Sequence, residues 1–203
     1  MIRSFSVSFF FFFTPAFCFT QTYEQEMQKY REHYIAEFLS DENSPLDKKG
    51  IKHLKFFPID SLYKVKAIFT RTADEKPFDM PTSSGKMKQY VKYGTVQFQL
   101  KGVAYTLSIY QNLKLIETEE YADHLFIPFN DETNNEETYG GGRYLDLSLK
   151  DIKDASVIVD FNICYNPYCV YADGYSCPVP PAENNLRVRI EAGEKMFAKK
   201  HKK

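Results

Sequence analysis

Two stretches of the chain carry residue types that could bind a ligand or support catalysis. The first is the acidic and glycine-rich stretch 130–142, which leads directly into Arg143, Tyr144 and Asp146. Glycine lets a backbone approach a ligand closely, and a guanidinium holds a carboxylate or phosphate through two parallel hydrogen bonds. Arg143, Tyr144 and Asp146 are therefore candidate ligand-binding residues. A competing interpretation is that Arg143 forms an internal ion pair with Asp160 or Asp146.

The second stretch, residues 160–184, combines polar side chains with tyrosines on a loop interrupted by prolines. Proline fixes the backbone and prevents regular strand pairing, so this loop is a rigid candidate wall for a pocket. We predict a cleft walled by Tyr165, Tyr168 and Tyr171, if the two stretches meet. Its polar anchors would be Asp160 and the arginine of the first stretch. The candidate ligand-binding residues of this stretch are Asp160, Asn162, Tyr165, Asn166, Tyr168 and Asn184.

Three cysteines, Cys164, Cys169 and Cys177, lie in or near this loop. In an oxidising compartment we predict a Cys169–Cys177 disulfide, which closes a short ring and contributes on the order of 2–3 kcal/mol. Cys164 is then a small buried hydrophobic residue. The cysteine spacings fit no standard zinc site, and no cofactor motif is recognisable. A catalytic cysteine would need a base, and the four histidines (His33, His53, His124 and His201) lie in no recognisable partner motif.

The carboxylates allow two further hypotheses about function. A hydrolase or lyase of the cell envelope would use Asp131 or Glu137 as the acid/base and Asp160 as its partner, which requires burial or a like charge to raise one pKa. A calcium-stiffened surface domain would use the hard oxygen ligands of the acidic stretch, although their spacing matches no EF-hand. Those calcium candidates are Asp131, Glu132, Glu136 and Glu137.

The first element that must support such a site is an amphipathic helix over residues 22–39. Thr22 followed three residues later by Gln25 fits a capping box, which satisfies free backbone amides at the start of a helix. Apolar and aromatic residues recur at spacings of three and four, which places them on one face that packs on the core. That face comprises Tyr23, Met27, Tyr30, Tyr34, Ile35, Phe38 and Leu39.

The rest of the chain alternates apolar and polar residues with a period of two, which is typical of antiparallel strands over a core. The predicted fold is mainly β: an antiparallel β-sandwich or small β-barrel preceded by the one helix. Lys101-Gly102 fits a hairpin turn, and the apolar residues 157–159 predict a central, covered strand. The alternating runs are 63–69, 96–100, 105–109, 145–149 and 186–190.

Composition excludes one class of partner. The chain has 203 residues, with 26 Lys and Arg against 27 Asp and Glu, so its net charge is -1. A domain that binds nucleic acid through its surface is usually strongly basic, so no nucleic-acid partner is predicted. The partner that we expect is a small molecule or a component of the cell envelope.

The first twenty residues have the layout of a secretory signal. Arg3 precedes an apolar run that includes five consecutive phenylalanines, residues 9–13, and no acid occurs before Glu24. The run is too short and too interrupted to cross a bilayer comfortably, and no transmembrane span is predicted in the mature chain. We expect an exported protein, periplasmic or associated with the envelope. An alternative is a lipoprotein anchored through Cys18.

These features define a predicted organisation. Residues 1–20 form the signal peptide, 21–45 the helix and a turn, 46–196 a single β domain, and 197–203 a basic tail. Cleavage could follow Cys18 or Thr20.

Several short motifs resemble the signature of a bacterial domain-of-unknown-function family, number 1684. They are Thr138-Tyr139-Gly140-Gly141-Gly142-Arg143-Tyr144-Leu145-Asp146, Asp160-Phe161-Asn162, Tyr165-Asn166-Pro167-Tyr168-Cys169, Cys177-Pro178, Pro180-Pro181, Glu183-Asn184, Leu186 and Ala192-Gly193-Glu194. The resemblance carries no assigned activity. It implies that the glycine–arginine and cysteine–proline segments belong to one common arrangement. Cys164 stands where the family resemblance implies a small uncharged residue.

Overall fold

The computed structural model describes residues 22–198, and the predicted signal peptide lies outside these residues. Helix α1 (Tyr23–Ser40) begins with the predicted capping box: the Thr22 side chain accepts a hydrogen bond from the Gln25 amide, and the Gln25 side chain accepts one from the Thr22 amide. Because successive residues advance about 100° around a helix, Leu39 does not share the packed face of Phe38. Leu39 is 49% exposed, so its prediction as a packing residue is wrong.

Within residues 22–198, seven antiparallel strands follow the helix and form one sheet. Their order is β6-β5-β4-β3-β1-β7, with β2 paired to β3. The sheet curls into a half-barrel, so the mainly-β prediction is confirmed, with one curled sheet as the architecture. The strands are β1 (Lys64–Arg71), β2 (Phe78–Pro81), β3 (Met87–Leu100), β4 (Val103–Asn112), β5 (His124–Phe129), β6 (Arg143–Ser148) and β7 (Ser156–Asp160).

Short 3-10 helices make most of the remaining connections. They are Ile51–His53, Ser61–Tyr63, Leu115–Glu117, Glu119–Tyr121, Leu149–Asp151, Phe161–Ile163, Tyr168–Val170 and Ala182–Asn184.

The predicted hairpin at Lys101-Gly102 joins β3 to β4. Both residues have positive φ angles, 51° and 79°, which is the conformation of the tight turns that match the twist of paired strands. Leu100 pairs directly with Val103 across this turn. The turn that joins the two longest strands of the sheet is therefore specified locally, by these two adjacent residues.

The main core lies on one face of the sheet and takes the alternate residues of every long strand. In β5, Leu125, Ile127 and Phe129 enter this core, whereas Phe126 packs in a second cluster with Tyr144 and Cys177. Strand β5 is thus covered on both faces, which explains why its sequence reads as continuously apolar.

Two strand predictions are wrong. Residues 157–159 form part of β7, but β7 is an edge strand that pairs only with β1, and Ile158 is 46% exposed. Residues 186–190 form no strand, although Leu186 and Ile190 are buried as their alternation suggests. Part of their backbone bonds to the segment that follows β5, since the Leu186 amide donates to the Asn130 carbonyl and the Val188 carbonyl accepts from the Glu132 amide. The Ile190 amide donates instead to the Asp131 carboxylate.

Candidate functional site

Strands β5 and β6 place a histidine, two aromatic rings and a carboxylate on one face of the sheet. Phe126 pairs with Asp146 and Pro128 pairs with Tyr144. Paired residues project to the same side, and so do residues two apart on one strand. His124, Phe126, Tyr144 and Asp146 therefore share the face opposite the main core, which is where an open cleft is found.

This cleft, which we call the tyrosine cleft, has a volume of about 580 Å³ and lies between the sheet, α1 and the loop after β7. That volume is within the usual range for small-molecule sites. Glu37, Lys88, His124, Phe126 and Asp146 also line it. Among the described residues, the tyrosines that line it are Tyr30, Tyr34, Tyr90, Tyr121, Tyr144, Tyr165, Tyr168 and Tyr175.

Helix α1 contributes one wall of the cleft. Tyr30, Tyr34 and Glu37 are spaced by four and three residues, so they lie along one face of the helix. The Tyr34 ring packs edge-on against Phe38, with ring centroids 5.0 Å apart. The residue spacing predicts core packing for these tyrosines and does not identify Glu37 as a cleft residue. Their contribution depends on where the helix docks, which local spacing does not reveal.

Asp146 is the polar centre of the cleft. One carboxylate oxygen lies 3.0 Å from His124 Nε2, and the other accepts a 2.6 Å hydrogen bond from the Tyr165 hydroxyl. The side chain remains 44% exposed. His124 Nδ1 is buried and has no hydrogen-bond partner within the described part of the chain. The carboxylate is thus fixed in position by two neighbours and still open to a ligand.

Tyr144 and Tyr165 are neutral phenols at physiological pH. Burial raises the pKa of Tyr144 above its usual range, and burial together with Asp146 raises the pKa of Tyr165. Their hydroxyls have protein partners, since Tyr144 donates to the Pro178 carbonyl and Tyr165 to Asp146. The cleft therefore presents these rings mainly as aromatic surface.

Glu194 lies behind the helix wall of the cleft and is fully buried. Its carboxylate accepts hydrogen bonds of 2.6 Å from the Tyr171 hydroxyl, 3.2 Å from Tyr34 and 3.0 Å from the Asn166 amide. Burial raises the pKa of Glu194 to about 7. In the sequence, Glu194 is marked only by its place in the motif Ala192-Gly193-Glu194. Tyr171, predicted to wall the cleft, is buried at this carboxylate.

Arg143 is completely buried and does not line the tyrosine cleft. Its guanidinium forms an ion pair with Asp131 at 3.2 Å, and it donates to the backbone carbonyls of Ile190, Ala192 and Glu194. The internal partner is Asp131, not Asp160 or Asp146. The guanidinium thereby connects residues 190–194 to β6. For these three carbonyls, its hydrogen bonds take the place of strand pairing.

Four other candidates also bond to the protein and lie outside the cleft lining. Asp160 accepts hydrogen bonds from the Tyr23 hydroxyl and from the Asn162 amide. Asn162 donates to the Asp60 carbonyl and Asn166 to the Lys195 carbonyl, each at 2.8 Å. Asn184 donates from its amide to Ser108 and Pro128.

The two stretches nevertheless meet. The Tyr144 amide donates to the Tyr165 carbonyl at 2.9 Å, and the Tyr165 amide donates to the Tyr144 carbonyl at 3.1 Å. Tyr144, Asp146, Tyr165 and Tyr168 are the candidates that line the tyrosine cleft. They share it with His124, Glu37 and the helix tyrosines, which sequence reasoning did not assign to a site.

Cys169 and Cys177 are free thiols, so the predicted disulfide is not present. The two residues are neighbours held by hydrogen bonds, and the Cys169 amide donates to Cys177 Sγ at 3.2 Å. Hydrogen bonding with Cys177, Ser83 and Tyr139 lowers the pKa of Cys169 to about 6. Burial raises the pKa of Cys164 to about 11.

Three carboxylates of the acidic stretch pair with arginines. Asp131 pairs with Arg143, while Glu136 and Glu137 both pair with Arg189. Within residues 22–198, no group of three His, Cys, Asp or Glu side chains is arranged to hold a metal ion. The acid/base candidates Asp131, Glu137 and Asp160 do not line a common cleft.

Fold and site together define a class of protein. Its sheet is a curled antiparallel half-barrel. An aromatic cleft around one carboxylate lies between the sheet face opposite the main core, helix α1 and a proline-containing loop. The sequence matches the model of the family described as "Protein of unknown function (DUF1684)" over residues 49–195. This chain belongs to that family. The resemblance predicted from its motifs is therefore confirmed.

A solved structure has a similar fold. The solution NMR structure of an uncharacterized protein of Haloarcula marismortui is 30% identical in sequence, with a TM-score of 0.65. The alignment covers 85% of this chain and 93% of that chain. The search of curated proteins found no match. Within the described residues, no helix has both the length and the apolar character needed to cross a membrane.

Proposed function

We propose that this protein is a binding module that takes a small organic molecule in the tyrosine cleft. The observation that carries the proposal is the Asp146 carboxylate, held by His124 and Tyr165 and 44% exposed among aromatic rings. Aromatic faces attract apolar and cationic groups, and a carboxylate adds a charged anchor. The ligand class that fits is an aromatic or apolar body carrying a cationic or hydrogen-bond-donating group.

A matched series of three probes tests this chemistry: benzyltrimethylammonium, benzyl alcohol and benzoate share a ring and differ in charge. We expect the cation to bind most tightly, with a dissociation constant of about 1 mM, which corresponds to about 4 kcal/mol. Benzoate should bind least because, among the described residues that line the cleft, the two carboxylates of Asp146 and Glu37 outnumber the one lysine, Lys88. Chemical-shift changes on titration would measure the affinities and locate the affected amides at the cleft.

Two variants separate the carboxylate from the rings. Asp146→Asn should weaken binding of the cation roughly fivefold, equal to about 1 kcal/mol for a partly exposed ion pair, and leave benzyl alcohol unchanged. Tyr168→Ala should weaken all three probes, because it removes aromatic surface. The control Asp79→Asn alters an exposed carboxylate on β2, outside the cleft lining. Equal affinity for all three probes, unaffected by Asp146→Asn, would overturn the proposal.

Export belongs to the same proposal. It is supported by Arg3, the phenylalanine run after it and the absence of an acid before Glu24. Expressed with its own N-terminus in a bacterium, the protein should be recovered from the periplasm with a new terminus after Cys18 or Thr20. N-terminal sequencing and intact mass measure this outcome. A cytoplasmic protein that retains residues 1–20 would refute export and leave the cleft proposal standing.

A further inference from the structure

The cysteine pair beside the tyrosine cleft occupies two rigid segments. Cys169 lies in the 3-10 helix Tyr168–Val170, whose turn is closed by the hydrogen bond from the Val170 amide to the Pro167 carbonyl. Cys177 is fixed to the hairpin of β2 and β3, because its carbonyl accepts from the Ser83 amide at 2.8 Å and its amide donates to Ser83 Oγ. The two thiols are thus brought together by backbone contacts that do not require a covalent link.

The two sulfurs differ in access and in environment. Cys169 is partly exposed, whereas Cys177 is buried and lies against Met80, Tyr144 and the cleft. A partly exposed thiol with hydrogen-bond donors around it is the usual attacking group in thiol–disulfide exchange, and a buried neighbouring thiol is the usual resolving group. Cys164 has neither property, since it is buried in the main core and its thiol donates to the Ala192 carbonyl.

We propose that Cys169 and Cys177 form a redox-active dithiol that is oxidised by small-molecule disulfides, with Cys169 as the attacking thiol and Cys177 as the resolving thiol. This proposal stands independently of the ligand assigned to the cleft. The Cys169 thiolate attacks one sulfur of the reagent, and the reagent's S–S bond breaks to release one thiolate. Cys177 then loses its proton to solvent and attacks the Cys169 sulfur, which releases the second thiolate. Two protein thiols are oxidised as one disulfide is reduced.

Dithiodipyridine is a suitable probe because it is neutral and each released thiopyridone absorbs light. Wild-type protein should release two thiopyridones from this pair and lose the mass of two hydrogen atoms without retaining an adduct. Chymotryptic peptides assign the products, because Tyr171 and Tyr175 separate the two cysteines in the sequence. The same mapping keeps any reaction at Cys18 apart from the pair.

Variants assign the order of the two steps. Cys177→Ser should release one thiopyridone at this site and retain a stable adduct on Cys169. Cys169→Ser should lose the fast reaction, while Cys164→Ala, the matched control, should behave as wild type. An adduct that persists on Cys169 in the wild type, or an unchanged fast reaction in Cys169→Ser, would overturn the proposal.

The pH dependence of the Cys169 reaction rate is a further test, because two ordinary thiols lying close together would not react faster at low pH. A thiol with a pKa of about 6 has roughly 300 times the thiolate population of an ordinary thiol at pH 5, and its weaker nucleophilicity reduces the advantage to about 20-fold. Cys169 should therefore react about 20-fold faster than free cysteine at pH 5. Equal rates at pH 5 would also contradict the assignment of Cys169 as the attacking thiol.

Discussion

Replacing Arg143 by methionine is expected to lower the free energy of unfolding by about 3–5 kcal/mol. The side chains of Arg143 and Asp131 are both completely buried, so removing the guanidinium leaves a carboxylate without its ion-pair partner. It also removes the donors to the carbonyls of Ile190 and Ala192, which hold a segment that has no strand partner. Urea denaturation followed by circular dichroism measures the loss.

Arg189→Met is the matched control for this experiment. Arg189 pairs with Glu136, Glu137 and Glu191 at the surface, and its side chain is 36% exposed. Exposed ion pairs contribute less than about 1 kcal/mol, so this variant should stay close to wild type. A folded Arg143→Met protein of wild-type stability that no longer binds benzoate would instead identify Arg143 as a ligand anchor.

Glu194 should make the protein less stable as the pH rises. Burial raises its folded-state pKa to about 7, whereas the ordinary value is 4.5, so between these values the folded protein holds a proton that the unfolded chain releases. The stability that the bound proton of Glu194 contributes is fully present below pH 4.5 and is lost as the pH rises through 7. The difference amounts to about 3 kcal/mol of unfolding free energy.

The measurement is urea denaturation of wild type and Glu194→Gln across pH 4.5 to 8. The difference in stability between the two proteins should change by about 3 kcal/mol in favour of the variant at high pH. Cys169 contributes in the opposite direction, because its depressed pKa adds stability as the pH rises from about 6 towards 9. Comparing the two proteins removes that contribution. Glu119→Gln provides an exposed control, and parallel curves for wild type and Glu194→Gln would exclude the assignment.

The elements that sequence predicted well are those with local causes. The capping box at Thr22 and the turn at Lys101-Gly102 are each specified by a few adjacent residues, and both form as expected. Strand alternation also predicted which residues are buried. It could not predict pairing: residues 186–190 alternate like a strand, yet their partners are the backbone of residues 130–132 and the side chains of Asp131 and Arg143.

The site was predicted only in part for the same reason. Tyr144 and Tyr165 lie in the two stretches singled out by residue type, and their backbones pair. His124 appeared to have no partner, because its relation to Asp146 depends on the register of β5 and β6. Glu194 is one acid among many in the sequence. Its burial in the folded protein distinguishes Glu194, and burial cannot be read from residue type. The same holds for Arg143, which is why it was interpreted as a possible ligand anchor.

Helix α1 supplies Tyr30, Tyr34 and Glu37 to the cleft, yet it precedes residues 49–195, the part of the chain that defines the family. The helix thus supplies three of the side chains that line the cleft from outside the matched residues. Homologues that keep the same sheet could diverge in ligand preference by exchanging this one segment. Grafting the first helix of a relative onto this sheet would then be a direct route to engineering altered selectivity.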